Sequence, residues 1–468
     1  MNRIDVLPDE VLLQTFYFYV NMDLSDFGIE AWLSLIRVCR RWRSLVLASP
    51  RHLNLRLVCT PQTKDTLDIW PTIPLIVRGT LALSSTGNVI AVFGQSNRVC
   101  EVQLLDLVGQ QLEEVLAAMQ VPFPELTNLQ LRLEPSDDET PPVIPDSFLN
   151  GSAPRLRSFD LDNAPFPGLP KLLLSATHLV FLGLSNIPRS GFISPEAMVA
   201  LLSVLSSLDT LSLGFKSPES FPDWESPSQP PPERFILPAL IEFYFGGIAE
   251  YLEDFVAFID APQLHYMNII FFSQISFDCS RFAQFINRTP ILTLVNEAHV
   301  QFDDTTASIK LLFETFKYDD LQMNILCEGL DLQLRSLAEV CDSSLPPHSL
   351  AKVVNLHIEC KYRGEVWVHD DTDDVENTLW LELLLPFTAV KNLYLSKEFA
   401  PDIAAALQEL VGPRITEMLP SLRNIFVEGL HVEPSGPLQE NIWQFAGARR
   451  RSGHPIAIFV WDRSRIRM

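Results

Sequence analysis

Few residues in this chain stand at spacings that do chemistry. His357-Ile358-Glu359-Cys360 has the His-x-Glu spacing with which zinc deaminases place a metal ligand beside a proton-transferring carboxylate. No Pro-Cys-x-x-Cys follows to complete that ligand set, and simple alternation along a β-strand accounts for the same pattern. His369, Asp370, Asp371, Asp373 and Asp374 offer oxygen donors of the kind a hard cation takes. The turn glycine and the bidentate glutamate of a calcium loop are missing, so the run reads as a solvated acidic loop. There is no phosphate-cradling Gly-x-x-x-x-Gly-Lys, no Gly-x-Ser-x-Gly elbow and no His-Glu-x-x-His. The sequence therefore predicts no catalytic residue, no metal and no cofactor: a binding protein and not an enzyme.

The totals bound the remaining classes. At 468 residues the chain exceeds one ordinary globular domain unless it is built from repeats. Apolar residues make up 47% and charged residues 20%, which is the composition of a folded chain. A net charge of −23 argues against nucleic-acid binding, which needs a basic face. Met1 to Thr60 carries seven basic and six acidic residues, so the acidic excess lies downstream and suits a basic protein partner. Seven scattered cysteines make no disulfide framework and point to a reducing compartment. The start is too polar for a signal peptide, and no apolar run approaches the roughly 18 residues of a membrane span. The expected setting is cytoplasmic or nuclear, with no membrane partner.

The elements that must position any binding surface begin in Ile4 to Leu57. In Leu7-Pro8-Asp9-Glu10, proline at the first turn gives up an amide that has no helical partner, and two acids favour the positive end of the helix dipole. A helix from about Pro8 to Val20 follows, with apolar residues on most of its circumference. Ile29 to Ala48 sets Trp32, Leu33, Leu35, Ile36, Val38, Trp42, Leu45 and Val46 among four arginines, and Ser49-Pro50 stops it. About fifty residues are too few to bury so many large side chains internally, since small domains cover only about 60% of the surface they expose. A partner surface is expected.

LPDEVLLQTF followed by WLSLIRVCRRWRSLVLASPRHL resembles the F-box, whose pattern is Leu-Pro-x-Glu, an apolar helix and then Val-Cys-[Arg/Lys]-x-Trp. Leu7, Pro8, Glu10, Val38, Cys39, Arg40, Arg41 and Trp42 carry the match. The resemblance implies a three-helix hook that docks on the Skp adaptor, and through it the cullin scaffold, of an SCF-type ubiquitin ligase. It implies adaptor contact by Leu7, Pro8, Val11, Leu12, Phe16, Ile36 and Val38, with Cys39 and Trp42 in the core of the hook. The connection from Asn21 to Ala31 is longer than is usual in the family.

From Val99 onward one phrase recurs, apolar-x-x-apolar-x-apolar, often with proline two residues before it. Its copies begin at Val99, Leu126, Leu156, Leu179, Leu208, Leu240 and Leu264, spaced 27, 30, 23, 29, 32 and 24 residues apart, and return at Val353, Val390 and Leu422. The last two apolar positions alternate with polar ones, so each copy reads as a short strand entered through a turn. Helix-like pieces such as Leu107 to Met119 and Pro195 to Leu205 lie between. The scale is that of leucine-rich repeats. Strand and helix bury their inner faces only by stacking on the next repeat, giving a parallel sheet with helices on one side. That family places Asn or Cys three residues after the last apolar position; here the offset holds Ala164, Ile187, Ile248 and Leu430, so no asparagine ladder is expected.

Between Arg281 and Gly329 the phrase fades, and VQF at Val300 to Phe302 and LQMNIL at Leu321 to Leu326 read as strands of two or three irregular turns. Pro455 to Trp461 reads as a closing strand. Polar insertions at Pro135 to Asp146, Ser217 to Glu233 and His369 to Asn377 are candidate contact loops. The expected fold is α/β: an F-box over 1–57, a junction or cap over 58–98, and an irregular leucine-rich-repeat-like solenoid over 99–468. Hook plus Pro-rich degenerate repeats resembles the large F-box families of mushroom-forming fungi. The function this implies is substrate recognition in a ubiquitin ligase, the repeats holding an unidentified protein target. The alternative reading is a non-catalytic repeat scaffold acting outside any ligase.

Overall fold

The computed structural model describes residues 7–21, 31–59, 72–80, 86–134, 143–222, 234–272, 279–290, 292, 295–313, 320–361, 376–410, 412–429 and 437–462. The acidic run from His369 to Asp374 and most of the polar insertions lie outside them. The chain forms two compact units, Met1–Phe192 with Val204–Leu208, and Ile193–Ser203 with Asp209–Met468.

The first unit opens with three helices, α1 (Asp9–Asn21), α2 (Trp32–Val38) and α3 (Arg40–Ala48). Six strands follow in the order β1 (Leu57–Cys59), β2 (Leu75–Thr80), β3 (Val99–Leu107), β4 (Asn128–Leu133), β5 (Ser158–Asp162) and β6 (Phe181–Ile187), each parallel to the next. Helices α4 (Thr86–Phe93), α5 (Gly109–Ala118) and α6 (Leu169–Ser175) connect them. The sheet begins well before Val99, because Leu57 to Cys59 pairs with Leu75 to Val77. The expected junction thus supplies strands of the sheet itself.

The second unit starts with α7 (Pro195–Leu202) and contains β7 (Thr210–Phe215), β8 (Phe235–Ile236), β9 (Glu242–Gly247), α8 (Ala249–Ala257), β10 (Ile259–Asp260), β11 (Tyr266–Phe272) and α9 (Ser280–Arg288). It continues with β12 (Val295–Phe302), β13 (Thr306–Phe313), β14 (Asp320–Leu326), α10 (Leu330–Glu339), α11 (Pro347–Leu350), β15 (Asn355–Cys360), α12 (Asn377–Leu384) and β16 (Asn392–Leu395). Last come α13 (Ala400–Gln408), α14 (Arg414–Glu417), β17 (Asn424–Glu428), α15 (Pro437–Arg451) and β18 (Ala457–Trp461). Its main sheet runs β7-β9-β11-β14-β13-β12-β15-β16-β17-β18.

All ten copies of the repeated phrase become strands, and all thirty of their marked apolar positions are at most 3% exposed. Burying each is worth about 2 kcal/mol, so the phrase is the core. The proline before a copy has a geometric reason. Leu126, Leu156, Leu179, Leu208, Leu240, Leu264, Val353 and Leu422 each donate their amide to the carbonyl three residues back, at 3.0 to 3.4 Å. That is a tight turn whose second position suits proline. The carbonyl just before a strand then accepts two amides from the next repeat: Thr127 from Arg157 and Ser158, Arg157 from Val180 and Phe181, Lys391 from Arg423 and Asn424. This recurring staple sets the register between repeats.

Two expectations are corrected. The stretch between Arg281 and Gly329 does contain strands at Val300 to Phe302 and Leu321 to Leu326, but they belong to an antiparallel meander and not to repeat turns. β12 runs antiparallel to β13 and β13 to β14, after which β14 lies parallel to β11 and β12 parallel to β15. The sheet is therefore mixed and not wholly parallel. Secondly, asparagines do mark strand ends, one position earlier than the family offset: Asn163 (φ 57°) and Asn186 (φ 51°) take the left-handed backbone that asparagine tolerates better than most residues. Within Ile29 to Ala48 the extended backbone of Cys39 (φ −157°, ψ 170°) separates α2 from α3.

Two buried polar groups hold the second unit's irregular parts. Arg449 is fully buried on α15 and donates to the carbonyl oxygens of Ile415 (2.8 Å) and Met418 (3.3 Å), which end the turn of α14. Asp303 closes the β12–β13 turn. It accepts from the amide of Thr305 at 2.9 Å and from Lys361 Nζ at 2.9 Å, while Gln333 donates to its carbonyl at 2.8 Å. Desolvation pushes this carboxyl up, but the Lys361 ammonium and the turn amides outweigh it and hold it below the usual aspartate value. A carboxylate whose pKa is depressed on folding contributes stability above its unfolded value and loses it as pH falls through the folded one. We predict that the stability of Asp303→Asn falls below wild type at neutral pH, with the gap closing as pH drops below about 4, measured by urea denaturation across pH.

Candidate functional site

Two surfaces carry the residues that could act. The first is the helical start. Leu12, Phe16 and Val20 lie on one face of α1 and are buried with Trp32, Leu35 and Ile36 of α2 and Val46 of α3. The Phe16 and Trp42 rings meet at 4.6 Å. Cys39 caps α3, its sulfur accepting from the Trp42 amide at 3.5 Å. Arg41 reaches back to the Leu7 carbonyl (2.6 Å) and the Asp9 carboxylate (2.5 Å), fixing the entry into α1. Trp32 donates to the Arg56 carbonyl at 2.8 Å and ties α2 to the chain entering β1.

Of the residues expected to meet an adaptor, Leu12, Phe16 and Ile36 are thus corrected to core positions: their apolar surface is already spent on the other helices. Leu7, Pro8, Val11 and Val38 are exposed. Phe18, seven residues after Val11 and so on the same helical face, is 57% exposed, and a helix apolar nearly all round carries no periodicity that marks it. Leu7, Val11, Tyr17, Phe18, Tyr19 and Val38 make six of the twenty exposed large apolar side chains among the described residues. All six fall within 32 residues of sequence.

The second surface is the face of the second unit's sheet turned away from the buried repeat positions. Register aligns its side chains in rows. One row reads Ser212, Tyr244, Asn268, Gln322, Lys310, His299, His357, Tyr394, Phe426 and Phe459, each opposite the next. Over the parallel strands its rings stack: His299 on His357 at 4.3 Å and 3°, His357 on Tyr394 at 4.1 Å and 0°, Tyr394 on Phe426 at 4.5 Å and 9°, Phe426 on Phe459 at 5.1 Å and 19°. Trp461 packs across His357 and Tyr394 at 5.8 and 5.4 Å. The neighbouring row contains Glu297, Asn355, Asn392 and Asn424, in which Asn392 donates to Asn355 and Asn424 to Asn392, both at 2.7 Å. An asparagine ladder therefore exists, at the position just before the strand's first buried residue. Its signal in the sequence is the Asn-apolar-x-apolar order shared by NLHI, NLYL and NIFV.

Where the rows meet β12 and β15, Glu297, His299, His357 and Glu359 come together. The His299 Nε2 lies 2.6 Å and the His357 Nε2 3.4 Å from Glu297 Oε1, and the Nδ1 atoms lie 3.9 and 3.6 Å from Glu359 Oε1. The hydrogen bond to His299 holds the Glu297 carboxyl below the usual carboxylate range against the effect of burial. Burial pushes the His357 imidazole down, favouring the neutral ring. Strand alternation, the sequence reading of His357-x-Glu359, is correct for β15. Its partner Glu297-x-His299 stands 58 residues earlier and shows itself only once register is known.

In the first unit a groove of about 740 Å³ is lined by Arg56, Arg155, Arg157 and His178 with Thr127, Val180 and Ser207. It is basic in a chain of net charge −23, although Arg56 and Arg155 pair with Glu101 and Glu125.

No protein-family model and no curated protein matches the chain. Among solved structures it is similar to the leucine-rich repeat-containing protein LegL7 from Legionella pneumophila, at 15% identity over 79% of this chain and 97% of that one, with a TM-score of 0.31.

The ladder yields a test of how the rows are held. Asn392→Ala removes the half-buried side-chain hydrogen bonds to Asn355 and from Asn424, each with a net contribution of about 0.5–1.5 kcal/mol. Chemical denaturation of Asn392→Ala should show a stability loss of that size.

Proposed function

We propose that the chain is the substrate-recognition subunit of an SCF-type ubiquitin ligase, holding the Skp adaptor through an F-box at its helical start and a protein target through its repeats. The observation that carries this reading is the division of labour in the helices. Cys39 and Trp42, which the F-box pattern specifies, cap and fill the three-helix unit, and Arg41, at its unspecified position between them, clamps it. Leu7, Pro8, Val11 and Val38 are left to solvent, joined by Phe18.

Such a receptor makes no bond. It raises the effective concentration of target lysines beside a ubiquitin-loaded enzyme held elsewhere in the assembly, and that gain needs no new chemistry from the receptor. A scaffold whose strands present rows of aromatic, amide and charged side chains suits protein recognition, since aromatic anchors among adaptable polar groups dominate binding energy.

The experiment is co-expression of the full chain with a fungal Skp adaptor and size-exclusion chromatography of the pair. Wild type should elute as a stoichiometric complex. Leu7→Ala combined with Val11→Glu should abolish it while leaving thermal unfolding unchanged, because both side chains are exposed. A chain that ignores the adaptor, or variants that bind it as well as wild type, would overturn the proposal.

A further inference from the structure

We propose that Glu297, His299 and His357 form a binding site for one divalent transition-metal ion of the zinc class. Each offers one ligand atom, and the three atoms all lie within 4.8 Å of one another. His299 and His357 are directly opposed on the parallel strands β12 and β15, with their rings stacked. Both rings point the same way: the Nε2 atoms converge on Glu297 Oε1 at 2.6 and 3.4 Å, the Nδ1 atoms face Glu359 Oε1 at 3.9 and 3.6 Å.

What separates this cluster from a chance ion pair is that one carboxylate stands at the Nε2 edge of both rings and another at the Nδ1 edge. A metal-bound imidazole coordinates through one nitrogen and turns the other toward a carboxylate, which fixes its tautomer and direction. Here Glu297 stands on the ligating side and Glu359, 6% exposed, on the orienting side of both rings. The buried His357 Nδ1 has no hydrogen-bond partner, so a modest approach of Glu359 would satisfy it. Two imidazoles and one carboxylate suit zinc, cobalt, nickel or copper and not the oxygen-only shells of magnesium and calcium.

A metal lies in the plane of each imidazole that binds it and the two rings are parallel, at 3°, so His299 must turn out of its stack on His357 before both Nε2 lone pairs meet one ion. Tetrahedral zinc with bonds of about 2.05 Å sets its ligand atoms about 3.3 Å apart. His357 is the fixed member, held between the His299 and Tyr394 rings with Trp461 across its edge. The Glu297 and His299 side chains, 31% and 21% exposed, have room to close the remaining gap and leave a coordination position facing outward.

The test uses the purified full chain, stripped with a chelator and desalted. Zn²⁺ is titrated by calorimetry and Co²⁺ by visible absorption. One Zn²⁺ per chain is expected, with Co²⁺ bands of a four- or five-coordinate site and a Zn²⁺-dependent rise in unfolding temperature. Losing an orienting carboxylate costs roughly 10–100-fold in metal affinity, so Glu359→Gln should fall in that range and His299→Ala, Glu297→Gln or the stack-preserving His357→Phe beyond it. The absence of saturable Zn²⁺ binding by wild type would overturn the site. So would binding of unchanged affinity in His299→Ala and Glu297→Gln, which would assign the ion to other histidines or cysteines.

Discussion

Everything in this chain hangs on three apolar positions per repeat being removed from water together. One of them turns the chain and the other two alternate along a strand, so their burial dictates both the direction of each strand and which of its faces is spent on the core. Because the carbonyl before one strand takes two amides from the next repeat, the strands also have a fixed register. A slip by one residue would carry the buried positions to the open face.

Register has a second consequence. With one strand face committed to the core, the remaining side chains fall into rows in which residues tens of positions apart become neighbours. In parallel strands equivalent side chains stand side by side, which is why rings stack from His299 to Phe459 and amides chain from Asn355 to Asn424. The meander sharpens this. Were β12 an ordinary repeat strand it would lie next to β11; folding back through β13 and β14 sends it on to β15 and sets His299 against His357. The turn that permits the reversal rests on Asp303, Gln333 and Lys361.

The helical start works on another principle. Three short helices bury one face each and cannot cover the rest, as expected for a unit of this size. Arg41 holds the Leu7-Pro8-Asp9 entry while Trp42 fills the space against Phe16, so exposure of Val11 and Phe18 is the geometric remainder of a bundle built on Leu12, Phe16 and Val20.

By itself the sequence determined which residues are core and where strands begin: the ten phrases at Val99 through Leu422, the turn before each, the closing strand at Pro455 to Trp461 and the helical start at Leu7 were all legible, because burial periodicity and turn chemistry act over a few residues. It also marked Cys39, Arg41 and Trp42 as special. Only the tertiary structure decided that Leu12, Phe16 and Ile36 face inward while Phe18 faces out, since a helix apolar on all sides carries no periodicity to read. Only it revealed the antiparallel meander, and with it the meeting of Glu297 and His299 with His357 and Glu359. The physical reason is the same in each case. Local propensities act between near neighbours in the chain, whereas strand order and register are settled by burial and backbone hydrogen bonding between segments far apart in it.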